Sequence, residues 1–162
     1  MLGKIKAAKK VTAAGIPMVI ASGKAPDTLI KLFNGENIGT YFMPGKEKLA
    51  SRKCWIAFTL KPQGTLWVDD GAAEAIVRRG KSLLPSGIVD VGGNFGVGAS
   101  VEFKNGRQQV LGRGLVNYSS LNIRKILGLH SSQIKDCLGE KPYDEVVHRD
   151  NLVVFDEYVL PL

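Results

Sequence analysis

Cysteine and histidine are scarce in this chain of 162 residues, limited to Cys54, Cys137, His130 and His148. The cysteines lie far apart with no C-x-x-C spacing. That pattern reads as two buried or half-buried thiols in a reducing compartment and excludes a disulfide scaffold. Two histidines without paired ligand spacing exclude an obvious zinc site, so no metal is expected. Long apolar runs are missing as well. None approaches the ~20 residues that a membrane-spanning helix needs, so no membrane partner is expected. The lysine-rich start, Met1 to Lys10, has no apolar stretch behind it before Gly15. No secretory signal is expected, and a cytoplasmic location is the expectation. Internal repeats and low-complexity segments are absent too.

The net charge of +7 suggests a nucleic-acid partner until it is divided along the chain. Residues 1–53 hold ten Lys and Arg against Asp27, Glu36 and Glu47, whereas residues 54–162 hold twelve basic and twelve acidic residues. The excess therefore sits in the first third. Charge count alone gives the larger remainder no general polyanion-binding surface.

Residues 1–53 read as alternating helix and strand. Ile5, Ala8, Val11 and Thr12 recur at helical intervals with lysines on the other face, and Gly15 with Ile16-Pro17 ends the helix. Met18 to Ala21 is a short apolar run of the kind buried in parallel sheets. Pro26 opens a second helix through Phe33, closed by Asn34-Gly35. Thr40 to Met43 is the next strand, stopped by Pro44-Gly45. Residues 54–63 read as a linker, punctuated by Pro62 and Gly64. From residue 64 to 155 the texture is short strands with glycine punctuation. Thr65 to Val68 is a strand, and Asp69 caps a short helix from Gly71 to Arg79. Strands at Ile88 to Val91, Ala99 to Phe103 and Gln109 to Leu111 follow, with an Asn105-Gly106 hairpin signal between the last two. Brief helices run from Ser120 to Leu127 and from Ser131 to Leu138. A last strand lies at Val146-Val147 or Leu152 to Phe155, and residues 156–162 form a tail. The fold class expected is α+β, a partial α/β segment followed by a small, mostly β barrel.

The strongest pattern is Val68-Asp69-Asp70-Gly71-Ala72-Ala73-Glu74-Ala75-Ile76. It continues through Gly80 to Ile88 and Gly93-Asn94-Phe95 to Gly112-Arg113-Gly114-Leu115-Val116-Asn117-Tyr118-Ser119-Ser120. Over roughly Thr65 to Asn151 this closely resembles a PUA domain of the type attached to bacterial glutamate 5-kinases. PUA domains elsewhere bind structured RNA, and their glycine loop after the first helix meets it. Here that loop is the basic Arg78-Arg79-Gly80-Lys81, the RNA-contact candidate. A solvated helix end explains the same residues, because cations suit that end of the dipole.

The N-terminal third is also similar to glutamate 5-kinases, in Met1-Leu2-Gly3-Lys4-Ile5-Lys6-Ala7-Ala8, Val19 to Gly23, Gly39 to Phe42 and Ser51 to Ile56. The resemblance implies that Lys4 contacts ATP phosphates from a helix N-terminus, where free N–H groups favour an anion, with Met1, Leu2 and Gly3 beside it. Gly3 departs from the family, which places a serine or threonine before the lysine. The resemblance further implies that the parent enzyme uses ATP and magnesium to phosphorylate the side-chain carboxylate of L-glutamate, the first step of proline synthesis. The residues for glutamate, magnesium and most of the ATP belong to an earlier part of the kinase domain. Phosphoryl transfer depends on positioning two substrates and neutralising charge, so this chain alone is expected to be inactive, with no catalytic residue of its own. The alternative is a stand-alone RNA-binding PUA protein. A third reading makes the PUA domain a regulatory or oligomerisation module, and residues 1–52 are expected to pair into a homo-oligomer through exposed strand edges.

Two further patterns carry no chemistry. His148-Arg149-Asp150-Asn151 resembles a protein-kinase catalytic loop but lacks every accompanying motif, and reads as a barrel-edge segment. Gly92 to Gly98 is glycine-rich without G-x-G-x-x-G spacing, and reads as turns.

Overall fold

The computed structural model describes residues 2–44 and 50–155, so Met1 and the tail 156–162 lie outside the described residues. The chain divides into two compact units, one up to Cys54 and one from Trp55 onward.

In the first unit, helix α1 spans Leu2–Ala13 and buries Ala8 and Ala13. Ile5, expected on the packed face, is exposed. The helix closes as its pattern requires. Gly15 takes φ 76, its N–H donates to the Thr12 carbonyl at 2.9 Å, and the Ile16 N–H donates to that of Val11 at 3.2 Å. These paired bonds satisfy terminal carbonyls that the helix leaves open. Strand β1 (Met18–Ile20) and strand β2 (Thr40–Phe42) form a two-stranded sheet. Here the structure corrects the sequence reading. The strands pair antiparallel, Val19 opposite Tyr41, and none of their residues is buried. An apolar run specifies that a strand seeks cover; it specifies neither the partner nor its direction. Helix α2 (Thr28–Phe33) starts two residues later than Pro26 suggests, because Asp27 sits at φ 57, outside helical space. No α2 residue is buried, and Phe33 is 90% exposed.

Helix α3 (Ser51–Phe58) occupies much of the segment that reads as a linker. Four consecutive apolar residues, Trp55 to Phe58, show no helical period. Only packing separates buried Ile56 and Ala57 from exposed Trp55.

The second unit is built on a five-stranded sheet in the order β4-β3-β5-β6-β7. The strands are β3 (Gly64–Val68), β4 (Ile88–Gly93), β5 (Ser100–Lys104), β6 (Val110–Leu115) and β7 (Leu152–Val154). The β3–β5 pair is parallel and the others are antiparallel. Helices α4 (Asp70–Val77), α5 (Ser120–Ile126) and α6 (Ile134–Leu138) complete the unit, α6 following directly on a 3₁₀ turn at Ser131–Gln133. Leu66, Val68, Ile76, Val101, Phe103 and Ile123 are among the side chains of one continuous core. Asn105 organises the β5–β6 turn, its Oδ1 accepting from the N–H groups of Arg107 and Gln109 at 3.0 Å each. Gln108 takes φ 63 there, so the turn is longer than the two residues Asn-Gly implies. Of the two positions offered for the last strand, Leu152–Val154 forms β7, and Val147 makes a single antiparallel bridge with Leu83.

The fold is α+β. Cys54 is buried, but Cys137 is exposed, contrary to expectation, with its Sγ 3.4 Å from the Lys125 carbonyl. Neither cysteine is in a disulfide. A short helix with one buried position out of α6's five residues leaves the Cys137 face to solvent.

Candidate ligand groove

Helix α4 begins at Asp69, whose extended backbone and short carboxylate suit an N-cap. Its Oδ1 accepts from the Ala72 N–H at 2.7 Å, occupying one donor that the first turn would leave bare. Three α4 positions, Gly71, Ala72 and Ala75, carry no side chain beyond Cβ. With Leu83, Leu84 and Gly87 opposite, they wall a groove of about 660 Å³. That volume lies in the range of small-molecule sites.

Two cations stand on this groove, Lys81 and Arg149. They meet through strand geometry. Leu83 and Val147 form an antiparallel bridge, closed by Leu83 N–H to Val147 C=O at 2.9 Å and Val146 N–H to Leu83 C=O at 2.8 Å. Two residues outward from it on either segment are Lys81 and Arg149. The Arg149 N–H donates to Ser82 Oγ at 3.0 Å, and the Lys81 N–H to the Ala75 carbonyl at 3.0 Å, tying both backbones to the groove. Among the described residues no ion pair involves Lys81, and Arg149 has only Asp150, 3.9 Å away. Asp69 is the one carboxylate on the wall, and its Oδ1 is committed to the cap.

The basic run after α4 thus divides. Arg79 is paired with Glu74 at 2.8 Å, and that hydrogen bond holds the Glu74 carboxyl below its ordinary range. Arg78 is the C-cap residue and does not line the groove. Gly80, at φ 57, makes the turn that a residue with Cβ adopts at a cost. Only Lys81 of the four reaches the groove. Its companion Arg149 lies in the segment that reads as a mere barrel edge. The signal that pairs them, an antiparallel match of Leu83 with Val147, is invisible without the fold.

The other candidate positions lie in the first unit. Leu2, Gly3 and Lys4 occupy the first turn of α1 and are exposed, while Met1 is outside the described residues. A Cβ added at Gly3 meets nothing within 4 Å, so the missing hydroxyl is no steric requirement. No helix among the described residues is long and apolar enough to cross a membrane.

Residues 64–138 match the PUA domain family. The chain is 55% identical over 154 residues to the glutamate 5-kinase of Syntrophus aciditrophicus, covering 95% of this chain and 40% of that protein. It is 51% identical over 156 residues to that of Caldanaerobacter subterraneus, covering 96% and 42% respectively. Among solved structures, a PUA domain from Aeropyrum pernix in complex with tartrate matches at 24% identity with a TM-score of 0.42, covering 60% of this chain and 48% of that one. A conserved PUA domain protein from Thermoplasma acidophilum matches at 15% identity with a TM-score of 0.41, covering 74% and 72%. The chain spans about two-fifths of the length of its curated relatives. It matches glutamate 5-kinases over about 95% of its own length and carries a PUA domain at residues 64–138, in keeping with the C-terminal part of such a protein.

Proposed function

We propose that this chain serves as the C-terminal part of a cytoplasmic glutamate 5-kinase, which transfers the γ-phosphoryl group of ATP to the side-chain carboxylate of L-glutamate, releasing ADP, at the start of proline synthesis. The observation that carries this is 55% identity running through both units rather than through the PUA domain alone. Its contribution to the nucleotide site is Lys4, with Met1, Leu2 and Gly3 beside it. Lys4 is exposed in the first turn of α1, where unpaired N–H groups and the helix dipole add to its charge. Magnesium and most of the ATP would be held by other residues of the parent enzyme. By itself the chain does not turn over, since one lysine neither positions two substrates nor neutralises the transferring phosphoryl group. The test mixes residues 1–162 with ATP, magnesium and glutamate and measures ADP. No glutamate-dependent release is expected, and real turnover would refute the reading. In a full-length relative, replacing the lysine equivalent to Lys4 with alanine should lower kcat/KM for ATP.

The domain boundaries that go with this reading are 1–53 for the kinase portion, 54–63 for the connection and 64–155 for the PUA domain. For the PUA domain a regulatory or assembly role is favoured over RNA binding, because charge beyond residue 53 is balanced and Arg79 is neutralised by Glu74. Non-specific RNA affinity of about 10⁻⁴ to 10⁻⁶ M is expected at physiological salt. Self-association would run through residues 1–52, where the apolar face of α2 is uncovered. Light scattering should give a dimer for residues 1–162.

A further inference from the structure

We propose that the groove between α4 and residues 81–87 is a binding site for a compact anionic small molecule, one carrying a carboxylate or phosphate on a small apolar body. The proposal stands independently of the kinase reading, since every residue involved lies in the second unit. Three observations meet there. The cavity, at about 660 Å³, has the size of a single small ligand and apolar walls in Ala72, Ala75, Leu83 and Leu84. Lys81 and Arg149 bring two cations to one concavity whose wall holds a single carboxylate, Asp69, so the lining carries a net positive charge. Their backbones are already fixed, by Ala75 and Ser82, so ordering on binding is confined to the side chains.

Asp69 Oδ1 is engaged by the Ala72 N–H, Asp150 lies beside Arg149 at 3.9 Å, and Glu74 is taken by Arg79. The groove lining thus keeps one net positive charge, two cations against Asp69. Two cations are few beside the several phosphate contacts on which polynucleotide affinity rests, and residues 54–162 as a whole are charge-balanced. This favours a compact anion over RNA. Arginine supplies the planar fork that suits carboxylate and phosphate alike, and lysine the point charge beside it.

The test uses the whole chain, labelled with nitrogen-15, titrated separately with inorganic phosphate, adenosine monophosphate, succinate and a single-stranded RNA dodecamer. Saturable shifts confined to the amides of Gly71 to Ala75, Lys81 to Gly87 and Arg149 are expected with at least one of the three small anions. That binding should weaken about ten-fold or more in Lys81→Ala and in Arg149→Ala, the loss of one charge-assisted hydrogen bond. Ala75→Leu, which fills the groove without altering charge, should weaken it too, and Arg79→Ala should not. Amide spectra of each variant establish that it is folded. The proposal is overturned by an absence of saturable shifts with all three small anions at ~10 mM, by equal loss in Arg79→Ala, or by RNA binding more tightly than any of them with a footprint extending over Arg78 and Arg79.

Discussion

Replacing Arg113 should destabilise the second unit far more than its position on a β-strand implies. On β6, its Nε and Nη2 donate to Glu102 Oε1 at 3.2 and 2.9 Å. Its Nη1 donates to the Ala57 carbonyl at 3.1 Å, in the last turn of α3, and the guanidinium stands 5.5 Å from the centroid of the Phe155 ring. The side chains of Arg113 and Glu102 are only 14% and 19% exposed. Arg113→Met keeps most of the apolar stem but leaves the Glu102 carboxylate without its cation and a carbonyl at the end of α3 without its donor. Fully buried pairs broken in this way lose about 3–5 kcal/mol. Residual exposure reduces that to about 2–3 kcal/mol. For a unit of this size the corresponding fall in melting temperature is about 8–20 °C. Thermal and urea denaturation, followed by tryptophan fluorescence and circular dichroism, give both quantities. The cycle is closed with Glu102→Gln and the double variant. Because Glu102→Gln removes the stranded charge, the double variant should be less destabilised than the sum of the two single changes by about 1 kcal/mol or more. A loss below about 0.5 kcal/mol in Arg113→Met, or strict additivity in the cycle, would show that solvent already screens this pair and would refute the reasoning.

Other substitutions probe single features of the same unit. Gly114→Ala would set a methyl 2.7 Å from Val147 Cγ1 and 2.8 Å from Phe103 Cζ; a loss of about 1–3 kcal/mol in urea is expected, and a neutral result would mean that the β6–core contact yields easily. Asp69→Ala removes the α4 cap and should cost about 1 kcal/mol, with Asp69→Asn close to wild type. Burial raises the Tyr118 phenol above its ordinary pKa of 10.0, and its hydroxyl donates to the Tyr143 carbonyl. A raised folded pKa means that this stability is fully present below about pH 10 and is lost as pH rises through the folded value. Alkaline unfolding monitored by circular dichroism should therefore weaken in its pH dependence in Tyr118→Phe. That variant should also lose about 1 kcal/mol at neutral pH with the hydrogen bond.

Much of this protein is determined locally, and those parts were legible as sequence. Gly15 ends α1 because a left-handed residue is needed to turn the chain back on its own carbonyls, and glycine adopts that geometry without strain. Asp69 starts α4 because its side chain satisfies an N–H three residues away. Asn105 shapes its turn in the same way. Each of these bonds spans a few residues, so residue type and order suffice. The α+β class and the succession of short strands followed from such signals, and the family resemblance from the motif running from Val68 to Ser120.

Tertiary structure alone decided the rest. The four apolar residues from Trp55 to Phe58 carry no period, and α3 is a helix because Ile56 and Ala57 have a core to enter. The Met18–Ile20 strand pairs antiparallel, a direction that its apolar run does not encode. The groove is the plainest case: Lys81 and Arg149 lie 68 residues apart in a 162-residue chain, and become neighbours only through the Leu83–Val147 bridge. A charge in sequence has no sign of its own company. Arg79 and Lys81 look alike in the chain, and it is Glu74, five residues earlier, that neutralises the first, while the second has no ion pair among the described residues and lines the groove.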